Sequence, residues 1–329
     1  MKVLVVGGGG REHAICWKLS NEQNVEAIFC APGNAGIESV AKCISIGDSD
    51  IDELLSFAKE NEIDLTIVGP EVPLVKGIVD AFEKEGLRIF GPNKNCAQLE
   101  GSKAFSKNFM IKHNIPTAKY KEYTDLDEAI SEVDSFGYPV VIKADGLAAG
   151  KGVVIPTNKE EAVATLREMM EDKKFGDAGN KIVIEEFLKG IETSVLAFVD
   201  NNTIMPMVSA KDHKKIYNYE EGPNTGGMGT FSPSEIYTDE LAENIKTNIL
   251  DATLEGFRKD NLNYKGILFV GLMITEDGPK VLEYNTRFGD PETQSVLFRL
   301  DTDLNKIMNA IIDNKLSEIE INYKNEEAV

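Results

Sequence analysis

The N-terminal part of the chain alternates short apolar segments with amphipathic ones, and this order constrains the fold more than any other feature. Lys2–Val6 is typical of a buried strand, and Arg11–Leu19 is typical of a helix. The alternation continues with strands and helices predicted in turn at Val25–Phe29, Ile51–Asn61, Leu65–Val68, Lys76–Glu85 and Arg88–Phe90. Such an order predicts a parallel sheet covered by helices, with ligand-binding loops at the carboxyl ends of its strands.

The pattern changes near Gly101, which predicts a domain boundary. We expect an α/β domain at residues 1–102 and a second domain at residues 103–329. Within the second domain, residues from about 120 to 189 predict a small subdomain, and residues 190–329 predict a larger α+β core. The fold class is therefore α/β with two kinds of sheet.

The larger core is expected to contain an antiparallel sheet, because its apolar segments are long and are joined by turn residues. Gly266–Thr275 and Lys280–Asn285 form one such predicted hairpin. We also expect a long loop over Lys211–Thr230 and a helix over Thr238–Lys259. Loops of that length in a compact domain are usually functional.

The charge balance limits the partners of the protein. Among 329 residues, 55 acidic side chains outnumber 35 basic ones, for a formal net charge of -20. Such a surface repels nucleic acid and anionic membranes but still admits small anions at local positive groups. With no membrane-length apolar segment and no metal-like cysteine spacing, we expect a cytoplasmic protein with small-molecule substrates, no nucleic-acid or membrane partner, and a monomeric or weakly dimeric state.

One polar strand near the C-terminal end carries the clearest chemical signal. Side chains alternate between the faces of a strand, so Glu283, Asn285 and Arg287 are expected to point the same way. Carboxylate and amide oxygens suit a hard cation such as Mg2+, and a guanidinium suits a carboxylate or phosphate. A solvated surface strand is the plain alternative, but a second polar cluster follows at Gly289–Glu292. We predict that this strand lines a site where a metal and an anion meet.

The glycine run Gly7–Gly10 invites a comparison with dinucleotide-binding turns. Glu12 stands where the third glycine of that motif belongs, and Phe29–Cys30 lacks the acidic residue that would hold a ribose. An NAD-dependent oxidoreductase is therefore disfavoured. Phosphate binding at the helix N-terminus and a simple tight turn remain equally consistent with the run.

A second glycine-rich segment, Val140–Val153, is more specific. It places Lys143 at the end of a strand and Lys151 inside a loop with three glycines. It is not a P-loop, but a flexible glycine loop between two strands can close over a triphosphate. By contrast, Lys103, Glu185–Leu188 and Glu192 are ordinary surface or strand-end residues when each is taken alone.

Taken in order, these segments resemble the ATP-grasp superfamily and, more closely, the phosphoribosylamine-glycine ligase (glycinamide ribonucleotide synthetase) family of purine biosynthesis. The matching stretches run through nearly the whole chain at Gly7–Ala14, Ala31–Gly36, Thr66–Gly77, Gln98–Phe105, Val141–Val153, Val183–Leu188, Gly222–Gly229 and Arg287–Gln294. The resemblance implies an ATP-grasp fold, in which the small subdomain is a lid. It also implies that ATP phosphorylates glycine to an acyl phosphate, which the amine of 5-phosphoribosylamine attacks to give glycinamide ribonucleotide, ADP and phosphate.

The resemblance also assigns residues by motif. The implied ligands of Mg2+ (or Mn2+) are Glu283 and Asn285. The residues implied to bind ATP are Lys103, Lys143, Gly146, Gly150, Lys151, Gly152, Glu185, Glu186, Phe187, Leu188 and Glu192. Those on the phosphoribosylamine side are Gly9, Gly10, Asn34, Gly69, Pro70 and Glu71. Those on the glycine and acyl-phosphate side are Asp212, Asn224, Thr225, Gly226, Gly227, Arg287 and Asp290, with Arg287, Lys143 and Asp290 implied to be catalytic.

Two alternatives stay open beside the ligase. The family continues into a further C-terminal domain, and this chain stops at Val329, where that domain would begin. The resemblance therefore leaves room for a shortened form that binds Mg-ATP without turnover. The other alternative is a different ATP-grasp carboxylate-amine ligase, against which the Gly222–Gly229 and Arg287–Gln294 motifs argue.

Overall fold

The computed structural model of the protein describes residues 1–148, 152–218 and 221–329. The N-terminal elements are β1 (Lys2–Gly7), α1 (Gly10–Ser20), β2 (Ala27–Pro32), β3 (Lys42–Cys43), α2 (Ile51–Glu60), β4 (Leu65–Val68), α3 (Glu71–Lys76), α4 (Ile78–Lys84), β5 (Ile89–Phe90) and α5 (Gln98–Gly101). Their strands pair in parallel in the order β3-β2-β1-β4-β5, which confirms the predicted parallel sheet. The strand order reverses at β1, so the loops after β1 and β4 lie side by side at the crevice where such sheets bind ligands.

One N-terminal helix differs from the prediction. The segment predicted as a single helix over Lys76–Glu85 is split by Gly77, which has a φ of 94° in the left-handed region. The helix before it, α3, was not predicted because it contains Pro73. That proline is tolerated because it lies in the first turn, where a backbone N–H has no helical acceptor to lose.

Residues 120–189, which we call the lid, contain a small four-stranded sheet. Its elements are β6 (Tyr120–Tyr123), α7 (Leu126–Glu132), β7 (Val140–Ala144), β8 (Val153–Val154), α8 (Lys159–Met170) and β9 (Ile182–Glu186). The strands pair antiparallel in the order β6-β9-β7-β8, and α7 and α8 cover one face. Helix α6 (Lys103–Lys112) leads from the N-terminal sheet toward this lid.

The larger sheet is antiparallel, as predicted for the core of the second domain. Its strands are β10 (Ile191–Val199), β11 (Ile204–Pro206), β16 (Gly266–Thr275) and β17 (Gly278–Asn285), in the order β11-β10-β16-β17. The segment predicted as a long loop instead contains four short strands, β12 (Lys211–Asp212), β13 (Lys215–Tyr217), β14 (Glu221–Asn224) and β15 (Thr230–Phe231). They form two separate two-stranded ladders, β12 with β15 and β13 with β14.

Four helices pack around this sheet. They are α9 (Asp239–Ile245), α10 (Asp251–Lys259), α11 (Glu292–Arg299) and α12 (Leu304–Ile312). The predicted helix over Thr238–Lys259 is interrupted by a wider π turn at Lys246–Leu250, which separates α9 from α10. None of the helices in the described ranges is long and apolar enough to cross a membrane.

A β-bulge in β17 sets the direction of its side chains. Gly271 of β16 pairs with Glu283, but the next residue of β16, Leu272, pairs with Val281, so Leu282 is an extra residue. Before the bulge Val281 faces the apolar core, and after it Tyr284 does. The bulge therefore turns Glu283 away from the core, on which an unbroken alternation from Val281 would have placed it.

A buried carboxylate connects the N-terminal unit to helix α12 of the second domain by hydrogen bonds. Glu22, just after α1, is 5% exposed and accepts hydrogen bonds from the backbone N–H groups of Leu304 (2.5 Å) and Asn305 (3.2 Å). These groups belong to the first turn of α12, whose own N-cap residue Asp303 makes no side-chain cap. Glu22 thus satisfies helix donors that would otherwise be buried without an acceptor.

We expect Glu22→Ala to lower the free energy of unfolding by about 2 kcal/mol, because it leaves buried backbone donors unpaired. Thermal denaturation followed by circular dichroism measures the change. Glu26→Ala, at an exposed position nearby, is the matched control and should leave the melting temperature unchanged. Equal melting temperatures for the two variants would show that the cap contributes nothing.

Candidate active site

A cavity of about 190 Å3 lies where the N-terminal unit, the lid and the core sheet meet. Glu71 of α3 lines it from the N-terminal unit, Glu185 of β9 from the lid, and Glu283 of β17 from the core. Asn285 and Arg287 line the same cavity, and the burial of Tyr284 and Thr286 between the three polar residues follows the alternation predicted for this strand. We call this space the first cavity.

Two buried lysines share one buried carboxylate beside the first cavity. The Nζ atom of Lys143 lies 2.8 Å from Oε1 of Glu185, and that of Lys107 lies 2.9 Å from Oε2. Burial lowers the pKa of Lys143, but Glu185 and Glu283 outweigh burial and hold that pKa above its ordinary value. Two lysines beside a single carboxylate leave an excess of cationic groups, which favours an anion nearby.

The carboxylate of Glu283 is available for a ligand. Within the described part of the chain it makes no hydrogen bond or ion pair, and it is surrounded by cations. Burial opposes its ionisation, but Lys143, Lys214 and other nearby cations outweigh burial and lower the pKa of Glu283. An ionised carboxylate beside the amide oxygen of Asn285 is a donor set that suits Mg2+.

Arg287 lines the first cavity and forms ion pairs with two acidic residues of the N-terminal unit. It lies just beyond β17, with Nε 3.3 Å from Oε2 of Glu71 and Nη2 2.9 Å from Oε1 of Glu100. Glu100 also accepts a hydrogen bond from the backbone N–H of Thr286 at 2.7 Å. The guanidinium is thereby held at the edge of the cavity next to Asn285, whose Oδ1 accepts a hydrogen bond from Nη2 at 3.3 Å.

The start of the glycine-rich segment is fixed to α6. Ser102 caps that helix, and Asp145 accepts hydrogen bonds from the Ser102 hydroxyl at 3.0 Å and the Ala104 backbone N–H at 2.7 Å. Lys103 donates from Nζ to the carbonyl oxygen of Gly146 at 3.2 Å. Lys103 thus contacts the first residues of the glycine-rich segment after β7 and also lines the first cavity.

A second cavity of about 440 Å3 is lined by residues of β10, β12 and α11. Glu192 forms an ion pair with Lys214, with 2.7 Å between Oε1 and Nζ. Burial raises the pKa of Asp212 to about 6, and the neighbouring carboxylate of Glu292 adds to the shift. Oδ1 of Asp212 is buried without a hydrogen-bond partner in the described structure, so this cavity contains an unsatisfied polar group.

The loops after β1 and β4 enclose the carboxylate of Glu12. It accepts a hydrogen bond from the backbone N–H of Gly9 at 2.7 Å and pairs with Nε of Arg11 at 2.6 Å. A Cβ atom added to Gly69 would lie 1.9 Å from Oε1 of Glu12, and one added to Gly7 would lie 2.6 Å from its carboxyl carbon. A side chain at either position would therefore force Glu12 out of its place.

Residues of the second domain come close to this N-terminal edge. Oδ2 of Asp290 accepts a hydrogen bond from the backbone N–H of Arg11 at 3.4 Å. Gly227, with a φ of 114°, lies so near Pro291 that an added Cβ would be 2.7 Å from the proline Cδ. The Gly227 turn is thus packed directly beside Asp290.

The remaining predicted residues occupy three places. Gly152 lines the first cavity, while Phe187 and Glu192 line the second. Leu188 is buried, and Glu186 accepts a hydrogen bond from the backbone N–H of Lys119 at 2.9 Å. The residues at the N-terminal edge and the 225–227 turn are Gly10, Asn34, Pro70, Thr225 and Gly226. Gly150, Lys151 and the side chain of Asn224 lie outside the described residues.

Several charged residues that line these cavities were not predicted as site residues from the sequence. Lys107 and Glu100 line the first cavity, and Lys214 and Glu292 line the second. A weak signal existed for two of them, because Lys107 follows Lys103 by one helical turn and Lys214 follows Asp212 by two residues. For Glu100 and Glu292 the sequence shows no feature beyond the adjoining motifs.

The chain matches two models of one known protein family over most of its length. The family model for the N domain of phosphoribosylglycinamide synthetase matches residues 1–100, and the model for its ATP-grasp (A) domain matches residues 101–293. The chain is 51% identical over 320 residues to the phosphoribosylamine-glycine ligase of Halalkalibacterium halodurans, covering 97% of this chain and 75% of that protein. It is 50% identical to the enzyme of the same name from Caldanaerobacter subterraneus subsp. tengcongensis, covering 100% of this chain and 79% of that protein.

Solved structures give the same result for the fold. The phosphoribosylamine-glycine ligase of Thermotoga maritima superposes with a TM-score of 0.82 at 32% identity, covering 95% of this chain and 76% of that one. The biotin carboxylase domain of the Hydrogenobacter thermophilus 2-oxoglutarate carboxylase, in complex with MgADP, superposes with a TM-score of 0.77 at 18% identity, covering 99% and 73%. The second likeness concerns the fold alone.

We expect the carboxyl group of Asp212 to titrate near pH 6, because burial and Glu292 both disfavour its charged form. Glu292→Gln removes one negative neighbour and should shift this pKa downward. Carbon-13 NMR of the aspartate carboxyl groups, assigned with Asp212→Asn, measures the titration. Glu276→Gln, at an exposed turn of the β16–β17 hairpin, should leave it unmoved. Titration near the ordinary aspartate value in the unaltered protein would contradict the prediction.

Proposed function

The chain belongs to the phosphoribosylamine-glycine ligase family, and we propose that its two cavities together form the active site for that family's reaction. The reaction joins glycine to 5-phosphoribosylamine with hydrolysis of ATP and yields glycinamide ribonucleotide, ADP and phosphate. The observation that carries the assignment of the site is the placement of Glu283, Asn285 and Arg287 in one cavity with Lys103 and Lys107 of α6, close to Lys143 of the lid. We keep residues 1–102 and 103–329 as the proposed domains.

The metal implied by the family fits the residues that are present. Glu283 offers an ionised carboxylate without a partner in the described structure, and Asn285 offers an amide oxygen in the same cavity. The described residues contain no cluster of three or more histidine, cysteine or acidic groups that could hold a metal. Two oxygen ligands suit Mg2+, which keeps waters and binds substrate phosphates in addition to one or two carboxylates. When bound, the ion would neutralise charge on the nucleotide phosphates.

Phosphoryl transfer needs positioning and charge neutralisation more than it needs a base. We propose that Lys103 and Lys143 contact the ATP phosphates, that Glu185, Glu186, Phe187 and Leu188 hold the adenine, and that Glu192 holds the ribose. A glycine carboxylate oxygen then bonds to the γ-phosphorus as the bond to ADP breaks. The ammonium group of Lys143, which Glu185 and Glu283 hold in its charged form, is placed to stabilise the charge that develops.

The second half of the reaction needs a protected acyl phosphate. We propose that Gly9, Gly10, Asn34, Gly69, Pro70 and Glu71 face phosphoribosylamine, whose amine nitrogen bonds to the acyl carbon as phosphate leaves and a proton is released. Asp212, the turn at 224–227, Arg287 and Asp290 would face the acyl phosphate. The contact between Asp290 and the N-terminus of α1 supports this arrangement, because it brings the two sets of residues together. Exclusion of water by the lid would prevent hydrolysis of the intermediate.

We propose that this reaction takes place in the cytoplasm. The four cysteines, Cys16, Cys30, Cys43 and Cys96, are free thiols, as is usual in a reducing compartment.

We expect ADP release to require ATP, Mg2+, glycine and 5-phosphoribosylamine together. A coupled assay in which each component is omitted in turn measures this requirement. Release that is indifferent to glycine but depends on another carboxylate would overturn the substrate assignment. Calorimetric binding of Mg-ATP with no ADP formed under any condition would show a nucleotide-binding protein without turnover.

Glu283→Gln should lower the glycine-dependent rate by about a hundredfold or more, because several kcal/mol of charge stabilisation by the metal are lost. Raising the Mg2+ concentration should restore part of this loss. Glu276→Gln makes the same change at the exposed turn of the same hairpin and should retain the full rate. A Glu283→Gln enzyme with an unaltered rate and unaltered Mg2+ dependence would refute the metal assignment.

A further inference from the structure

Lys107 is a charged residue in the protein interior that the proposed chemistry does not use. Only 1% of the surface of Lys107 is exposed to solvent, and its Nζ atom lies 2.9 Å from Oε2 of Glu185. The same atom donates a hydrogen bond to the hydroxyl of Thr117 at 2.7 Å. A buried lysine is costly unless it is paired, so these contacts must compensate for its desolvation.

The contacts of Lys107 close a ring with those of Lys143. Thr117 donates from its hydroxyl to the carbonyl oxygen of Val281 at 2.6 Å, and Lys143 donates to the carbonyl oxygen of Leu282 at 3.3 Å. Both lysines meet again at Glu185. The ring therefore connects the lid strand β9 to the β-bulge in β17, immediately before Glu283.

The two carboxylate oxygens of Glu185 differ in their partners. Oε2 faces Lys107, whereas Oε1 is buried, accepts no hydrogen bond in the described structure, and faces Lys143 at 2.8 Å. A phosphate that takes Lys143 as its partner competes with Glu185 for the same ammonium group. A buried carboxylate that loses its last cation is strongly destabilised, so a second cation is needed at that moment.

We propose that Lys107 is a positioning residue for nucleotide binding, which keeps Glu185 paired when Lys143 turns toward the ATP phosphates. This inference rests on the proposed function, since it takes the phosphates as the new partner of Lys143. Lys107 lines the first cavity, but its ammonium group stays paired with Glu185 and Thr117. Its role is to let Lys143 exchange partners without leaving an unpaired charge in the interior.

The surroundings of Lys107 predict a pH dependence. The groups facing it are Glu185 and Glu186 from β9, Lys143 from β7, and the ring of Tyr120 from β6, whose centre is 5.9 Å from Nζ. Burial lowers the pKa of Lys107 to about 8, Glu185 and Glu186 oppose the shift, and Lys143 adds to it. Lys107 is therefore protonated below pH 8, and its charge is lost as the pH rises through that value.

The test uses Lys107→Met and Lys107→Arg in the full chain. Lys107→Met should raise the KM for ATP by about tenfold or more, because Glu185 then retains Lys143, and should leave the KM for glycine unchanged. Lys107→Arg keeps the charge and should restore most of the affinity for ATP. Lys112→Met makes the same change at an exposed position on α6 and should behave as the unaltered protein.

The pH profile separates this role from a merely structural one. The kcat/KM for ATP of the unaltered protein should fall above pH 8, and this fall should be absent in Lys107→Arg, whose charge persists. Equal losses for ATP and glycine in Lys107→Met, or an unchanged fall above pH 8 in Lys107→Arg, would overturn the proposal. If Lys107→Met does not fold, the Lys107→Arg profile decides alone.

Calorimetry distinguishes failure of this inference from failure of the proposed function. Binding of a non-hydrolysable ATP analogue with Mg2+ requires no turnover. Lys107→Met should bind it about tenfold more weakly than Lys112→Met, even if no variant releases ADP. Equal affinities in these two variants would refute the role of Lys107, whatever the assay of turnover shows.

Discussion

The β-bulge at Leu282 determines which side chains of β17 reach the first cavity. One extra residue in the strand leaves Val281 and Tyr284 in the apolar core while Glu283 and Asn285 face the lid. The bulge also presents two carbonyl oxygens that Lys143 and, through Thr117, Lys107 can use. The orientation of the proposed metal ligands and the attachment of the lid therefore depend on the same local irregularity.

The site concentrates positive charge in a protein whose net charge is -20. Three of its cations already have acidic partners, since Lys143 pairs with Glu185, Arg287 with Glu100 and the half-buried Lys214 with Glu192. Such pairs offset the desolvation of these cations when no ligand is bound. Binding of an anion then becomes an exchange of partners, which costs less than the desolvation of an isolated charge.

The sequence predicted the parts of the structure that depend on local order. Alternating segments predicted the parallel N-terminal sheet, and two-residue periodicity predicted the common direction of Glu283, Asn285 and Arg287. It could not predict the pairing of Lys107 with Glu185, because the partners are 78 positions apart in the sequence and Lys107 belongs to none of the recognised motifs. The short strands between 211 and 231 were missed for a similar reason: strands of two to four residues are defined by their partners rather than by their own composition. The roles of the individual site residues stay predictions.

The enclosed carboxylate of Glu12 has a consequence for how this protein can evolve. Gly69 has no backbone requirement for glycine of the kind that Gly7 has with its φ of 126°, so only the nearby carboxylate excludes a side chain there. An added side chain at position 69 therefore requires Glu12 to give up its contacts with Gly9 and Arg11, or to be replaced by a smaller residue. Replacing Glu12 first removes that cost, so the order in which the two positions change matters. Gly7, by contrast, remains constrained in either background.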